Sequence, residues 1–532
     1  MRVGFWTGWR GDPLPINPRR EQTPLLISLE SSLLFVSNPS AHGTLRRWEI
    51  VPGLFIWGTF ALAVALSFFA PSAAVVLIIV FDLYWLFRVT YFVVFLAASW
   101  REYRKTIRID WASRVRKEKG WEQIIHLVFL PTYKEDVSVI RAAFQSLCDS
   151  AYPKDRLIIV LAGEERDHER FLAAAAVMEK EFGKTFRRLI ITEHPKDLPG
   201  EIPGKGSNLH FSGRTVKEIL EREEPDLRPE DVVVSAFDVD IAVHPHYFSY
   251  LTYLYLTVPD PLHASYQPVA LFSNNIWTAT APVRVAAFGT TFWLMTELGR
   301  PDRLWTFSSH SMPWKMLLDV GFWQKDVVSE DSRIFLQGFL HYHGHYRVVP
   351  LFLPVSMDTV VGGTYWESLT ALYRQQRRWA WGVEHFPVMV EAFRKDSIIP
   401  WRKKIRYLWN HTEGMYTWAT APILIFFLGR LPFYVARNNG EALIQIAPFT
   451  LEWIMRLAML GVFATAFLSL ALLPPRPKTV RPLASFIMLL QWLLVPITFT
   501  VFGAFPAIDA QTRLMLGKYL GFNVTKKVRP TH

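Results

Sequence analysis

The sequence predicts an α/β domain inserted between α-helical membrane segments. Three observations carry this. Hydrophobic residues make up 51% of the 532 positions, with 21 Trp and 39 Phe, yet charged residues still reach 20%. The apolar residues gather in long runs near both ends of the chain, and the middle alternates short apolar strands with amphipathic helices. Such alternation argues for a mostly parallel sheet with helices on its faces.

The N-terminal segment, 1–45, is polar and rich in Pro, Gly and Arg, as expected of a cytoplasmic lead-in. Two apolar runs follow at 50–70 and 73–98, within a membrane region of 46–100. Each exceeds the ~20 helical residues that cross a bilayer. The first begins near Glu49, too deep for a cleaved leader, so both are expected to be permanent. Arg46 and Arg47 flank the first, and Arg101, Arg104, Lys105 and Arg108 follow the second, in a basic connector of 101–121. Positive residues favour the cytoplasmic side, which places both flanks inside and predicts an external hairpin. Asp82 and Arg88 lie within the second run and are expected to face other helices or a polar channel.

Residues 122–386 form the strand–helix region. Strands are predicted at 124–130, 157–161, 189–192 and 232–237, and helices at 137–147, 169–182 and 209–221. In sheets of this kind ligands sit at the carboxyl ends of the strands. An amphipathic region, 387–410, contains the basic stretch 394–406 and reads as an interfacial helix or elbow. A membrane region of 411–507 then carries apolar runs at 416–435, 451–473 and 483–505, before a C-terminal tail, 508–532. Pro496 and Pro506 interrupt the last run, so it is expected to be a kinked interfacial or re-entrant helix, with four full crossings elsewhere and a cytoplasmic tail.

The net charge of +11 suits anionic lipid surfaces and phosphate-bearing ligands. Nucleic acid is not expected, because the basic residues cluster beside apolar segments. The single cysteine, Cys148, excludes an intramolecular disulfide and a Cys-rich metal site.

Five short segments carry candidate chemistry. Pro131, Thr132, Tyr133, Lys134 and Glu135 end the first strand and open a helix. Gly204, Lys205, Gly206, Ser207 and Asn208 form a glycine-flanked turn at a helix start. Asp238 and Asp240 follow the fourth strand directly, where two carboxylates at i and i+2 can approach one hard cation. Ser329, Glu330 and Asp331 enter a helix; Ser329 could cap it, and Asp331 is a candidate general base. Gln375, Gln376, Arg377, Arg378 and Trp379 lie in a helical stretch ahead of the basic elbow, where Arg suits a phosphate and Trp a boundary or a sugar face.

Taken in order, these segments resemble the membrane-bound family 2 glycosyltransferases, the family of cellulose, chitin and hyaluronan synthases. The most specific is Gln375–Trp379, which matches QxxRW, and Ser329–Asp331 resembles TED with Ser for Thr. The resemblance implies a GT-A type domain, cytoplasmic and set between transmembrane helices, that moves a sugar with inversion from a nucleotide-sugar donor, a UDP-sugar by preference. It implies Asp331 as catalytic base, Asp238 and Asp240 as ligands of Mg²⁺ or Mn²⁺, and Trp379 against the acceptor. Pro131, Thr132, Tyr133, Glu135, Lys205, Asp238, Gln375 and Arg378 would bind the donor. Where the family places an Asp pair after the second strand, this chain has Glu164 and Glu165, which are assigned to the donor as well. Phe522, Asn523, Val524, Thr525, Lys526 and Lys527 resemble the gating loop of cellulose synthase. The expected setting is a multi-pass protein of the bacterial inner membrane, in contact with lipid and with room for partner subunits in export. The acceptor stays open between a growing polysaccharide or glycan and a single-addition lipid, as in ceramide glucosyltransferase. A transporter with a regulatory nucleotide-binding domain is the rival from outside the enzymes.

Overall fold

The structure, a computed structural model, describes residues 39–437 and 441–521. The lead-in 1–38 and the gating-loop-like residues Phe522–Lys527 lie outside the described residues.

Two long helices open the chain, α1 (Pro39–Phe69) and α2 (Pro71–Thr106), parted only at Ala70, where Pro71 starts the second helix. The sheet domain follows: β1 (Ile125–Pro131), α3 (Val137–Cys148), β2 (Leu157–Glu164), α4 (His168–Phe182), β3 (Arg188–His194), α5 (Lys205–Glu223) and β4 (Val232–Ala236). Then come β5 (Ala242–Val243), α6 (Tyr247–Thr257), β6 (Ala264–Phe272), α7 (Ala281–Leu298), β7 (His310–Pro313), α8 (Trp314–Val320), α9 (Glu330–His341) and β8 (Arg347–Met357). The eight strands form one mixed sheet in the order β3-β2-β1-β4-β7-β6-β8-β5. β3, β2, β1 and β4 run parallel, whereas β7 is antiparallel to both β4 and β6.

β1, β2 and β4 are buried on both faces, which is why they read as unbroken apolar runs and not as alternating ones. Leu127, Phe129, Val160 and Val234 face one core layer; Val128, Leu130, Leu161 and Val233 face the other. From β1 the chain steps to β2 and β3 on one side, then returns to place β4 on the other side of β1. The carboxyl ends of β1 and β4 therefore flank the point where the strand order reverses, the place where such sheets open a ligand crevice.

The C-terminal half is helical: α10 (Tyr365–Ala380), α11 (His385–Lys395), α12 (Trp401–Phe426), α13 (Leu431–Val435) and α14 (Ala442–Ala471). Five further helical segments run on from Ala484 to Met515, the last of them α15 (Phe505–Met515). The basic stretch 394–406 is an elbow. α11 ends at Lys395, the Asp396 carboxylate accepts hydrogen bonds from the Ile398 and Ile399 amides, and α12 starts after Pro400.

Among the described residues, four helical stretches are long and apolar enough to cross a membrane: Leu45–Phe69, Pro71–Thr106, Ala442–Ala471 and Ala484–Met515. Their outward faces expose large apolar side chains, among them Phe69, Phe87, Leu460 and Leu493, a surface unsuited to water. As expected, the polar groups of the second run turn inward. Asp82 is buried, and Arg88 pairs with Glu413 of α12 at 3.2 Å, with the Tyr84 hydroxyl on the same carboxylate. Gly461 lets α14 lie against α2, since a Cβ there would sit 2.6 Å from the Val89 side chain.

One expectation needs correcting. The strongly bent element is not the last apolar run but the one before α14, where Trp401–Phe426 and Leu428–Val435 meet at 41°. Ala484–Met515 continues as one candidate span. Its prolines are absorbed locally, by a 3-10 turn at Gln491–Leu494 ahead of Pro496 and a π turn at Thr500–Ala504 ahead of Pro506. Such turns take up the missing N–H and the ring's clash with the preceding turn.

Candidate functional site

Three chain segments meet beyond the carboxyl end of β4. The first is the start of α5. Gly204, Lys205 and Gly206 open this helix, and the Ser207 hydroxyl bonds back to the Gly204 carbonyl at 2.9 Å. The Asn208 amide donates to the Ala162 carbonyl at 2.9 Å, which locks the turn to the end of β2. The second is the start of α9, with Glu330 and Asp331 in its first turn. Gly206 allows a close approach here: a Cβ would lie 3.1 Å from the Glu330 Cβ and 3.1 Å from the Gln324 carbonyl, a tight contact. The third is the loop after β4, with Asp238 and Asp240.

Lys205 joins all three. Its Nζ lies 2.7 Å from Asp238 Oδ1, 2.9 and 3.1 Å from the two carboxylate oxygens of Asp331, and 4.0 Å from Glu330. Only 10% of the Lys205 side chain is exposed, against 31% for Asp238 and 23% for Asp331, so the two aspartates face the cleft from either side of a buried ammonium. Burial alone would lower the Lys205 pKa, but Asp238, Asp331 and Glu330 outweigh it and hold the group charged well above its ordinary range. Burial, with Asp331 beside it, pushes the Glu330 carboxyl up toward its protonated form.

The two aspartates after β4 part company. Asp238 accepts from the Ser308 hydroxyl at 2.7 Å as well as from Lys205. Asp240 is buried, and its carboxylate accepts the Asp358 amide at 2.9 Å, tying the end of β4 to the end of β8. Oxygen donors of this kind suit Mg²⁺ or Mn²⁺. Among the described residues, however, no group of three or more His, Cys, Asp or Glu side chains could hold a metal ion. With the Lys205 ammonium between Asp238 and Asp331, Asp238 fits a divalent cation only if further oxygens arrive with a ligand, such as those of a diphosphate.

Around the end of β1, Glu135 accepts from the Thr132 hydroxyl at 2.9 Å and the Tyr133 amide at 2.5 Å. The Arg166 guanidinium lies 4.5 Å over the Tyr133 ring and pairs with buried Glu164. Glu165 is turned to Lys196, accepting its amide at 3.0 Å. Both glutamates therefore already have cationic partners. Arg166 was not singled out from the sequence, although a basic residue directly after a Glu pair is the signal that marks it.

On α10, Gln375, Gln376 and Trp379 line a narrow crevice together with Phe272 and Thr359. The Trp379 ring lies 5.7 Å from that of Phe272. Arg378 is close enough to Glu330 to favour its charged form. Arg377 instead pairs with Asp509 of α15 at 2.8 Å, which ties this helix to the last candidate span.

Sequence reasoning missed the supports of Asp331. Ser329 does not cap α9. Its hydroxyl and amide both donate to Glu384, at 2.5 and 3.1 Å, and the second oxygen of that carboxylate accepts the Trp381 indole N–H at 2.8 Å. Thr306 donates to the Asp331 carbonyl at 2.6 Å. Buried His310 donates to the Phe307 carbonyl at 2.8 Å and stands 3.9 Å from the Asp331 carboxylate.

Burial lowers His310 to about 4 and His126, inside the sheet, to about 3, from an ordinary value of 6.5. Between those values and 6.5 the unfolded chain binds more protons than the folded one. Stability should therefore fall as pH falls through this window, by at most roughly 1.4 kcal/mol per pH unit for each histidine. His126→Gln should flatten the slope of unfolding temperature against pH; an unchanged slope would count against the buried neutral imidazole.

No protein-family model matches the chain, and no curated protein sequence matches it. Among solved structures, the mannosyltransferase PcManGT from Pyrobaculum calidifontis, in complex with GDP-Man and Mn²⁺, aligns over 80% of this chain and 100% of its own, at 14% identity and a TM-score of 0.41. Residues 1–349 of S. aureus TarS in complex with UDP-GlcNAc align over 75% of this chain and 94% of that one, at 13% identity and a TM-score of 0.31. Likeness at this distance bears on neither substrate nor chemistry.

Proposed function

We propose that the chain is an inverting family 2 glycosyltransferase, embedded in the membrane with its sheet domain on the cytoplasmic face. The observation that carries this reading is the convergence of Asp238, Lys205 and Asp331 at the β1/β4 switch point, a cation flanked by two carboxylates of different surroundings. Asp331 serves as general base: it takes the proton of an acceptor hydroxyl while that oxygen attacks the anomeric carbon. The bond to the donor's phosphate oxygen breaks on the opposite face, so one displacement inverts the centre and releases a nucleoside diphosphate. Lys205 and Arg378 meet the charge that grows on the leaving diphosphate, helped by the amino end of α5.

The end of β1, with Pro131, Thr132, Tyr133 and Glu135, supplies the base and ribose site, with Glu164 and Glu165 behind it and the Tyr133–Arg166 stack as its floor. Gln375 and Arg378 close the donor site, and Trp379 offers its face to the acceptor. A Mg²⁺ or Mn²⁺ ion held by Asp238 and phosphate oxygens would neutralise the diphosphate. Asp240 supports Asp238 through the β4–β8 tie. Transfer should accordingly depend on Mg²⁺ or Mn²⁺. Full activity in excess chelator would remove the cation from this reading.

The acceptor is read as a growing polysaccharide or glycan, possession of an aromatic platform beside the membrane helices being the supporting feature. Purified protein in lipid, given a labelled UDP-sugar, should build a ladder of products, and one addition to a lipid would favour the ceramide type. Trp379→Ala should impair elongation at least ~10-fold more than donor hydrolysis, the scale of a lost sugar-stacking contact. Equal loss of both would mark Trp379 as a boundary residue.

A further inference from the structure

A lysine already occupies the carboxylate that a metal ion would use. Lys205 Nζ touches Asp238 Oδ1 at 2.7 Å, and Ser308 holds Oδ2 at 2.7 Å. The same ammonium bridges to Asp331 at 2.9 Å, so it fills the space between the two carboxylates that face the cleft. Asp240 is buried, and its Oδ2 accepts the Asp358 amide at 2.9 Å.

We infer that Lys205 is an internal cation that keeps divalent metal off Asp238 until an incoming diphosphate draws the lysine away. The exclusion stands on this geometry alone; only the identity of the diphosphate rests on the proposed reaction. Asp238, Glu330 and Asp331 crowd into a poorly hydrated cleft, and carboxylates so placed need a counter-charge. Lys205 supplies it in the free protein. A lysine suits the task because its charge rides on a flexible four-carbon stem. It sits on the first turn of α5, whose amide groups also favour an anion. A diphosphate arriving there offers the ammonium new oxygens, frees Asp238 Oδ1, and contributes oxygen ligands to the metal. Metal and diphosphate then bind with positive coupling, and each must raise the affinity of the other by the same factor.

The test is Mn²⁺ binding, read by electron paramagnetic resonance on the purified full chain in detergent. The wild type with Mn²⁺ alone should show no saturable site, and UDP or GDP should create one. Lys205→Met should take up one Mn²⁺ without nucleotide, at least ~10-fold more tightly than wild type, as expected when a unit charge a few ångströms away is removed. Lys205→Arg should behave as wild type. Adding Asp238→Asn to Lys205→Met should abolish the uptake. Saturable Mn²⁺ binding by the wild type alone, as tight as in Lys205→Met, overturns the inference. Where Lys205→Met does not fold, the wild type decides: uptake without nucleotide overturns the inference, and uptake only with UDP or GDP supports it. If neither nucleotide binds, the transferase reading fails, and the comparison of wild type with Lys205→Met in Mn²⁺ alone still decides this one.

Discussion

Asp331→Asn should lower turnover by ~100-fold or more while donor affinity stays within a few-fold of wild type. Asparagine keeps the shape of the side chain and an oxygen for Lys205, so the turn at the start of α9 has no reason to move. Lys205 retains Asp238 at 2.7 Å as a counter-charge. What disappears is the capacity to accept a proton from the acceptor hydroxyl. Steady-state turnover, set beside equilibrium binding of the nucleoside diphosphate, separates the two effects. Near-normal turnover in Asp331→Asn would remove the base from this position.

Glu384→Ala should cost ~10- to 100-fold in turnover, with little change in donor binding, because it would misplace the proposed base, Asp331, without touching the donor side. A shift of about 1 Å in a reacting group is enough for a loss of this size. The Glu384 carboxylate gathers the Ser329 amide and hydroxyl and the Trp381 indole, so it pins the first turn of α9 to the end of α10. Its removal leaves three donors without their acceptor in a partly buried place. Glu384→Gln keeps one acceptor oxygen and should recover part of the activity. That partial rescue is the readout a purely global destabilisation would not give. An alanine variant with wild-type turnover would show that Asp331 is held by other contacts, such as Thr306.

β1, β2 and β4 were legible because both of their faces are buried. β2 nevertheless runs three residues past its predicted end, to Glu164, and α5 starts four residues before its predicted start, at Lys205. β3, at the sheet edge, is buried in alternation. β7 was not legible. Its four residues, His310–Pro313, carry no apolar signature and are strand only because β4 and β6 flank them. β6 was obscured by Gln267 and Pro268 in its middle, where the register with β8 slips. The site divides in the same way. The family-like segments marked Asp238, Lys205 and Asp331 as candidates, and the fold brings both aspartates within hydrogen-bonding distance of the Lys205 ammonium. Spacing also suggested Asp240 as a partner of Asp238, but the loop after β4 turns that side chain inward onto the Asp358 amide, a contact that depends on a residue 118 positions away. Glu384 was invisible for the same reason, since Ser329 stands 55 positions before it. The prolines of the last apolar run predicted a re-entrant bend; local 3-10 and π turns absorb them, and the bend falls at Phe427, between Pro422 and Pro432.

The most direct test of the central claim is release of nucleoside diphosphate from a panel of nucleotide sugars by detergent-purified protein, with Asp331→Asn run beside the wild type. The proposed function predicts that one nucleotide sugar, or a close pair, is turned over by the wild type in the presence of Mg²⁺ or Mn²⁺, and that Asp331→Asn is nearly silent on the same donor. Release from no member of the panel, or equal release by wild type and Asp331→Asn, would contradict it.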